Sequence, residues 1–367
     1  MKKVLIISVK AGYGHHSTGQ ALMDYFTERN IECEMLDTFE YISTFLGDSI
    51  QDGYLLLTKS VPEFYGKVYD KFDKNSKPRE STPVAMISKV VAKKIRDYVI
   101  SYGADAIIGT HSYACLLMSY LRKQEHISCP LYGVVTDFTV HPFWESADID
   151  YYVTPDKLLN NQMVKKGIPE EKILPFGIPI KEKFAKKIDK TEARKMLGIG
   201  DKTTILVMMG SMGFGNIVSE MEKITSVDGD FQIICVCGTN EKMKKSVEER
   251  EWEKDVYVYG FVDNIDVMMD ASDCIITKPG GLTTSELMAK GLPALLVNPI
   301  PGQEDRNLEF LVNSGACMMI TKTFPVDEAL YQIMNNKWRM DFMKESVARL
   351  GKPDATEKLC NFIMERF

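Results

Sequence analysis

One pattern recurs along this chain: a short apolar run, then a loop that contains glycine, then residues with helical spacing. It is clearest at residues 274–292, where the apolar run ends at Thr277 and Pro279-Gly280-Gly281 precede the helical pattern. The pattern occurs again at residues 4–26 and begins a third time at residues 204–215. Short hydrophobic strands that alternate with helices favour a parallel sheet covered on both faces. The chain should therefore be an α/β protein.

The length of the chain bounds the number of domains. At 367 residues it is longer than one ordinary core, and a prior of about 150 residues per domain gives two domains. The first predicted domain covers residues 1–180, with an insertion of different character at residues 39–103. Residues 181–202 are a charged connection, and the second domain covers residues 203–350. Residues 351–367 have helical spacing and form a final helix.

Charge and hydropathy exclude two classes of partner. The chain has 45 Lys and Arg against 51 Asp and Glu, a net charge of −6, whereas nucleic-acid binding needs a basic surface. No apolar run approaches the roughly 20 residues of a transmembrane helix. The run Val4 to Val9 is too short for a signal peptide. The sequence therefore predicts a cytoplasmic protein that does not bind nucleic acid.

The insertion at residues 39–103 differs from the rest of the chain. It is dense in aromatic and aliphatic residues without strand alternation. From Lys59 to Arg96 it has ten Lys and Arg against four acidic residues, a local charge of +6. Such a segment suits an anionic membrane surface. The alternative is a helical hairpin whose apolar face is core and whose lysines are solvated.

The glycine turn at residues 279–281 offers a site for an anion. Gly280 and Gly281 lack Cβ atoms, and the helix behind them presents unpaired N–H groups and about half a positive charge to a group such as a diphosphate. Glu286 lies about one turn further along, where a carboxylate can accept hydrogen bonds from a vicinal diol such as a ribose. A tight turn with a glutamate that merely complements the helix dipole has the same local sequence.

The next strand and its exit favour the ligand-binding interpretation. Pro293 to Pro299 is followed by Ile300-Pro301-Gly302-Gln303-Glu304-Asp305-Arg306-Asn307. With residues 276–286, this stretch resembles the nucleotide-sugar site of glycosyltransferases with the GT-B fold. The diacylglycerol glycosyltransferases, meaning monogalactosyldiacylglycerol synthase and the bacterial glucosyl enzymes, are most similar, and the peptidoglycan N-acetylglucosaminyltransferase is more distant. The resemblance implies two Rossmann-like domains whose parallel sheets face each other across a cleft.

The resemblance also implies which residues bind the UDP-sugar. They are Gly210, Ser211, Phe261, Val262, Pro279, Gly280, Gly281, Leu282, Thr283, Glu286, Gln303 and Glu304. The glycines face the diphosphate, Glu286 holds the ribose, and Phe261-Val262 borders the uracil. Gln303 and Glu304 meet the sugar hydroxyls.

Two segments of the first domain resemble the acceptor side of these enzymes. Lys10 to Ser17 is similar to their Gly-x-Gly-His loop, although Tyr13 departs from its commonest form. Residues 136–144 resemble their Thr-Asp segment followed by His-x-x-Trp, with a spacer one residue shorter than in the plant-type enzymes. His111 and Asp137 follow strands, and open α/β sheets bind ligands at that end. The acceptor-side residues implied are Gly12, Gly14, His111, His141 and Trp144.

The implied reaction is an inverting transfer of a hexose from UDP-glucose or UDP-galactose to the hydroxyl of diacylglycerol. It needs a base for the alcohol and stabilisation of the departing diphosphate. His15 is the first candidate for the base and Asp137 the second, and either can orient the other. The enzyme would act as a peripheral protein on an anionic membrane surface, at the inner face of the cell membrane.

Two motifs raise the question of a metal. Cys235-Val236-Cys237 would place both sulfurs on one face of a strand, but a structural zinc site needs a second pair of ligands. Asp148-Ile149-Asp150 has the D-x-D form of the other large glycosyltransferase fold, yet it runs into a strand without nearby glycines or further acids. We therefore expect neither a metal nor a cofactor, with the diphosphate held by backbone N–H groups.

Two other function classes share a UDP-sugar site. One is a UDP-N-acetylglucosamine 2-epimerase of the same fold, which needs no apolar acceptor surface. The other is a non-catalytic protein that only binds UDP-sugars. The insertion at residues 39–103 argues against the epimerase, whereas the donor site alone does not distinguish the binding protein from the enzyme.

Overall fold

A computed structural model of the chain describes residues 2–9, 13–38, 40–41, 83–124, 126–208 and 217–367. For residues 13, 83–91 and 142 it describes only the backbone. Most of the predicted insertion, at residues 42–82, therefore lies outside the described residues. The same is true of Gly12, Gly210 and Ser211 among the predicted site residues.

The first sheet has six strands among the described residues, all parallel, in the order β2-β1-β3-β4-β5-β6. The strands are β1 (Lys3–Ser8), β2 (Glu32–Asp37), β3 (Ala106–Gly109), β4 (Leu131–Val134), β5 (Tyr151–Val153) and β6 (Ile173–Leu174). Side chains Val4 to Ile7 of β1 are wholly buried, because helices cover both faces of a parallel sheet. The helices between these strands are α1 (Tyr13–Glu28), α2 (Pro83–Tyr102), α3 (Ser112–Lys123), α4 (Pro142–Ser146) and α5 (Asn160–Lys165).

The second sheet repeats this plan, with parallel strands in the order β12-β11-β10-β7-β8-β9 within the described part of the chain. The strands are β7 (Thr203–Met208), β8 (Phe231–Val236), β9 (Asp255–Tyr259), β10 (Cys274–Thr277), β11 (Ala294–Leu296) and β12 (Cys317–Met319). The helices are α6 (Glu182–Ala185), α7 (Lys190–Leu197), α8 (Ile217–Thr225), α9 (Glu241–Glu248), α10 (Ile265–Ala271), α11 (Gly281–Lys290), α12 (Gln303–Asn313), α13 (Val326–Asn335) and α14 (Lys337–Leu350). The prediction of an α/β protein with two parallel sheets is confirmed.

The chain divides into two compact units that are not continuous in sequence. The first unit consists of Met1–Glu182, Ile300–Arg306 and Asp354–Phe367, and the second of Lys183–Pro299 and Asn307–Pro353. The last helix, α15 (Ala355–Met364), thus belongs to the first unit.

Helix α15 completes one side of the first unit's core. Leu359, Cys360 and Ile363 are buried in the same cluster as Val4 and Ile6 of β1. Their spacing of three and four residues places these side chains on one face of the helix. The first sheet is therefore covered on this face by the last helix of the chain as well as by α1.

Residues 181–202 are predicted from the sequence as a connection, and from Lys183 onward they belong to the second unit. The buried guanidinium of Arg194 on α7 donates to the Ala271 carbonyl and forms ion pairs of 2.7 Å with Asp201 and with Asp273. Asp273 directly precedes β10, so these contacts hold the start of that strand. The fixed, multidentate geometry of arginine suits such a junction.

Candidate active site

Polar side chains gather at the carboxyl ends of β1, β3 and β4, which are neighbours in the first sheet. In the first unit they line a pocket of about 260 Å³. The lining residues are His15, His111, Ser112, Thr136, Asp137, Thr139, His141, Trp144 and Gln303. The structure thus brings together both predicted catalytic residues and three of the residues predicted for the acceptor side.

The ring of His15 is oriented by two oxygen atoms. Its Nδ1 lies 2.9 Å from the carbonyl oxygen of Thr110 and 2.9 Å from Oγ1 of Thr136. A carbonyl oxygen only accepts hydrogen bonds, so Nδ1 carries the proton and the Thr136 oxygen shares it as a second acceptor. A neutral imidazole has one N–H, and its Nε2 therefore keeps the lone pair. His15 is held in the tautomer that can take a proton at Nε2.

The other two imidazoles of the pocket are held in the opposite tautomer. His111 is the N-cap of α3, and its Nδ1 accepts a hydrogen bond of 3.0 Å from the N–H of Tyr113. His141 is the N-cap of α4, and its Nδ1 accepts one of 3.1 Å from the N–H of Phe143. A ring nitrogen that accepts from a backbone N–H carries no proton itself, so the N–H of each neutral ring is at Nε2.

Burial favours the uncharged form of His15 and His111. It lowers the pKa of His15 from its usual value of 6.5, while the Asp137 carboxylate and the Thr110 carbonyl act in the opposite direction. Burial lowers the pKa of His111 further, and positive charge on His15 or His141 would add to that effect. The rings of His15 and His111 meet edge to face with centroids 4.6 Å apart. At neutral pH His15 is therefore an uncharged base.

Asp137 is fixed by the residue that the sequence predicts to bind the sugar. Nε2 of Gln303 donates to Oδ2 of Asp137 over 2.9 Å, and residues 300–306 belong to the first unit. The neighbouring carboxylate of Glu304 turns back on its own loop, where Oε2 accepts from the N–H of Ile300 at 2.7 Å. The two predicted sugar-binding side chains are thus oriented by different partners, one by a carboxylate and the other by backbone.

Two acceptor-side predictions fall in different surroundings from those that the sequence suggests. Helix α1 begins at Tyr13, so Gly14 and His15 lie in its first turn and not in a loop. Trp144 is only 4% exposed. A Cβ atom at Gly133 would lie 2.6 Å from its ring, so this glycine makes room for the indole. Trp144 closes the base of the pocket mainly as a core residue.

In the second unit the glycine turn leads directly into α11. Gly280 is the N-cap residue, and it has no side chain with which to cap the helix. The hydroxyl of Thr284 donates to the Gly280 carbonyl and that of Ser285 to the Gly281 carbonyl, so both point away from the first N–H groups. Those N–H groups lie at the positive end of the helix dipole, an arrangement that suits an anion.

The side chains predicted around this anion site share one face of α11. Leu282, Thr283 and Glu286 are partly exposed, whereas the next residues on the opposite face are buried. Residues three and four apart lie on the same side of a helix. Glu286 therefore stands about one turn above the free N–H groups, on the side that Leu282 and Thr283 also occupy.

Asn307 positions the glycine turn, and sequence reasoning missed it. Its side chain is wholly buried, and Nδ2 donates to the carbonyl oxygen of Pro279 over 3.0 Å. Within α12 it shares the buried face with Leu308 and Leu311. A polar residue on an otherwise apolar helix face was the available signal. The Thr110 carbonyl and the Thr136 hydroxyl, which orient His15, had no comparable signal, because every residue has a carbonyl and hydroxyls at strand ends are common.

Phe261 and Val262 follow β9 at the same edge of the second sheet. Phe261 is 64% exposed, which suits a flat apolar surface on which a base can stack. Strands β9 and β10 are three positions apart in the sheet, which corresponds to roughly 14 Å at the usual strand spacing. An extended ligand laid across the carboxyl edge would be needed to reach from Phe261 to the glycine turn.

The D-x-D motif has a structural role at the position of Asp150. Its carboxylate accepts from Arg122 at 2.8 Å and from the N–H of Leu131 at 2.7 Å. In the part of the chain that the structure describes, no cluster of three or more His, Cys, Asp and Glu side chains is arranged to hold a metal. None of the described helices combines the length and apolar character needed to cross a membrane.

Two family models match most of the chain. Residues 15–180 match the model of monogalactosyldiacylglycerol synthase, and residues 204–359 match that of the glycosyltransferase family 28 C-terminal domain. These matches fall on the two sheets, one on each.

Individual proteins agree with these matches. The processive diacylglycerol beta-glucosyltransferase of Bacillus thuringiensis (strain Al Hakam) is 30% identical over 370 residues, covering 99% of this chain and 93% of the relative. Among solved structures, MurG of Acinetobacter baumannii has a TM-score of 0.62 at 16% identity, with both chains covered completely. UDP-GlcNAc 2-epimerase of Neisseria meningitidis bound to UDP-GlcNAc has a TM-score of 0.59 at 13% identity, covering 99% of this chain and 100% of its own. At such identities the structural likeness concerns the fold alone.

Proposed function

The chain belongs to the family of monogalactosyldiacylglycerol synthase and the processive diacylglycerol glucosyltransferases, and on that premise we propose that it transfers a hexose from a UDP-sugar to diacylglycerol. The observation that carries the proposal is the tautomer of His15. A neutral alcohol needs a base to become a nucleophile, and His15 presents an unprotonated Nε2 in a pocket that it shares with Asp137.

The transfer proceeds with inversion in a single displacement. The free hydroxyl of diacylglycerol attacks the anomeric carbon of the sugar as its proton passes to Nε2 of His15. The bond between the anomeric carbon and the diphosphate oxygen breaks, and UDP leaves with the electron pair. Asp137 stabilises the imidazolium that forms, since its carboxylate favours the charged state of His15.

The departing diphosphate is held by the first turn of α11. Its uncapped N–H groups at residues 281–283 stabilise the charge that develops on the leaving oxygen. Glu286 accepts hydrogen bonds from the ribose, and Phe261 borders the uracil. Gly210 and Ser211 complete the donor site in this proposal, although they lie outside the described residues.

The identity of the hexose is a matter for experiment. The Bacillus relative is named as a glucosyltransferase, whereas the matching family model is named for a galactolipid synthase. Gln303 and Glu304 are proposed to contact the sugar hydroxyls. Because each is already oriented by a partner, an axial and an equatorial 4-hydroxyl would meet different atoms there.

The function is tested by incubating the protein with UDP-glucose or UDP-galactose, with and without diacylglycerol in mixed micelles. We expect UDP release only when diacylglycerol is present, a lipid product heavier by one or more hexoses, an inverted anomeric centre by NMR and full activity in EDTA. Conversion of UDP-N-acetylglucosamine without acceptor would instead identify an epimerase. UDP-sugar binding with no product from any donor would identify a non-catalytic binding protein.

We further propose that the enzyme reaches its acceptor at an anionic membrane surface. Helix α2 buries Ala92, Ile95 and Val99 in the core of the first unit, while Lys93 is exposed and Lys94 partly so. Each such lysine near an anionic surface contributes about 1 kcal/mol. Part of the basic insertion is therefore an ordinary core helix, and its lysines are available for contact with lipid.

The membrane proposal is tested with charge reversals of equal size. Changing Lys89, Lys93 and Lys94 to Glu should reduce sedimentation with anionic vesicles and activity on them, and should leave UDP binding unchanged. The matched control changes three exposed lysines of the second unit to Glu: Lys242, Lys245 and Lys337. Equal losses in both triple variants, or none in the first, would rule out a specific role for α2.

A further inference from the structure

The pocket of the first unit contains three imidazoles whose protons are assigned by different partners. Nδ1 of His15 faces two acceptors, the Thr110 carbonyl and the Thr136 hydroxyl. Nδ1 of His111 and Nδ1 of His141 each face a donor, the first backbone N–H groups of α3 and α4. One ring therefore has its lone pair at Nε2, and the other two have N–H groups there.

We propose that Thr136 positions the base, His15, and that the two capping histidines bind the acceptor. His111 and His141 donate hydrogen bonds from their Nε2–H groups to oxygen atoms of the acceptor. The inference rests on the proposed function and assigns roles to residues around His15. In this arrangement His15 receives the proton of the attacking hydroxyl at its Nε2. The other two histidines donate to the oxygen atoms that neighbour that hydroxyl on the acceptor.

The choice of histidine as a helix cap supports the proposal. Asn, Asp, Ser and Thr are the preferred N-cap residues because a side-chain oxygen accepts well from the first N–H groups. Ser, Thr and Asn can also donate, but their donor lies on a short side chain beside the capped N–H groups, whereas a histidine presents its donor on the far side of a rigid ring. Two histidine caps on one pocket thus combine an acceptor for the helix with a donor for a ligand.

The placement of Thr136 supports its role as a positioning residue. Thr136 lies two residues after the end of β4 and directly before Asp137, and it is buried, with 8% of its surface exposed. With the Thr110 carbonyl it gives the Nδ1 proton two acceptors at equal distances of 2.9 Å. A hydrogen-bond acceptor at Nδ1 stabilises the imidazolium more than the neutral ring, so Thr136 favours proton uptake at Nε2.

The arrangement is tested first without any substrate. The chain has five histidines, so long-range ¹H–¹⁵N correlation spectra of imidazole-labelled protein can be assigned with single variants. We expect the Nδ1–H tautomer for His15 and the Nε2–H tautomer for His111 and His141 at pH 7.5. An Nδ1–H tautomer for either cap would overturn the inference and leave the proposed function standing. An Nε2–H tautomer for His15 would overturn both the inference and the role of His15 as the base.

The role of Thr136 is tested by the pH dependence of kcat with UDP-glucose and diacylglycerol. Thr136→Val removes the acceptor oxygen at nearly constant shape, and we expect kcat to fall about two- to tenfold. The acidic limb of the profile should move to lower pH, because the pKa of His15 falls when an acceptor for its Nδ1–H is lost. The charged or titratable groups that act on His15, namely Asp137 and His111, are unchanged in this variant.

Thr136→Ser supplies the control for that experiment. It restores the hydroxyl, so the acidic limb should return to its original position. If Thr136→Val lowers kcat without moving the limb, or if Thr136→Ser fails to restore it, the residue has only a packing role and the inference fails.

The role of His111 is tested with a substitution that keeps the cap. His111→Asn retains a good N-cap acceptor, but its only side-chain donor is a short amide that does not extend to the position of the ring Nε2–H. We therefore expect an unchanged Tm and an about two- to tenfold lower kcat/KM for diacylglycerol. The KM for UDP-glucose should not change. His126→Asn, on an exposed histidine away from the pocket, controls for the substitution itself. Full activity of His111→Asn would show that His111 is a cap and nothing more.

Discussion

The carboxyl edges of the two parallel sheets present different kinds of chemical group. At the first edge the reactive groups are side chains, since His15, Asp137 and the capping histidines line the pocket. At the second edge the groups proposed to bind the diphosphate are backbone N–H groups at the start of α11. Side chains can be protonated and can move, whereas backbone donors keep their charge distribution at every pH. The contrast suits a base at the first edge and a leaving-group site at the second.

The contrast between the two edges would be wrong if removal of the proposed base weakened UDP binding as much as it lowered turnover. For His15→Ala we expect kcat to fall by a factor of about 10² to 10⁴, the usual contribution of a positioned base. The affinity for UDP should stay within twofold of the parent, because UDP is assigned to the second sheet. Stopped-flow or product assays and UDP titration calorimetry measure the two quantities. If Asp137→Asn produces this pattern and His15→Ala does not, the two residues exchange roles.

The second sheet is probed through the side chain assigned to the ribose. For Glu286→Ala we expect UDP binding to weaken about tenfold or more, since hydrogen bonds to a charged group contribute about 1.5–3 kcal/mol. Turnover should fall with binding because the interaction is made in ground and transition state alike. Titration calorimetry with UDP is the measurement, and the exposed Glu309 changed to Ala is the control. An unchanged dissociation constant would remove Glu286 from the site.

The buried side chain of Asn307 tests whether UDP binding needs a fixed conformation of the glycine turn. Asn307→Ala removes the donor to the Pro279 carbonyl and leaves a buried acceptor unsatisfied, at a cost of about 1–3 kcal/mol in stability. We expect UDP affinity to fall several-fold and the urea midpoint to decrease. Asn313→Ala on the same helix removes an exposed hydrogen bond to the Glu309 carbonyl and should change neither. Lost stability with unchanged UDP affinity would separate the turn from the binding site.

The smallest expected effect is the pH dependence of stability, which should come from the first pocket. Burial lowers the pKa of His111 well below 6.5. In acid, His111 therefore binds a proton in the unfolded chain and stays neutral in the folded chain. The free energy of unfolding should therefore fall as the pH drops below about 6.5, by up to about 1.4 kcal/mol per pH unit for this group. Urea unfolding at several pH values measures this slope, which should be shallower in His111→Asn and unchanged in His126→Asn.

The sequence predicts a site made of neighbouring residues better than a site whose residues are brought together by tertiary packing. The glycine turn and its helix are contiguous, so residues 279–286 carry enough information to place an anion site at a strand end. His15 and Asp137 were identified through family resemblance, and both follow predicted strands, whose carboxyl ends share one edge of a parallel sheet. Their conjunction in one pocket depends on the strand order, which no local pattern encodes.

The details that decide the chemistry could not be predicted. The tautomer of His15 depends on the Thr110 carbonyl, which is 95 residues away in the chain. Asn307 reaches the turn at Pro279 across 28 residues. Such hydrogen bonds are selected by tertiary packing, and a hydroxyl or amide in the sequence does not reveal its partner.

The position of α15 has a consequence for how the protein folds during synthesis. Leu359, Cys360 and Ile363 close one side of a core that begins with Val4 and Ile6. The first unit thus cannot be completed until residues beyond 354 have left the ribosome, although its first strand emerges about 350 residues earlier. The second unit, which ends at Pro353, is available to fold earlier. Nascent chains that stop before α15 should expose an apolar sheet face, which makes them natural clients for chaperones that bind hydrophobic segments.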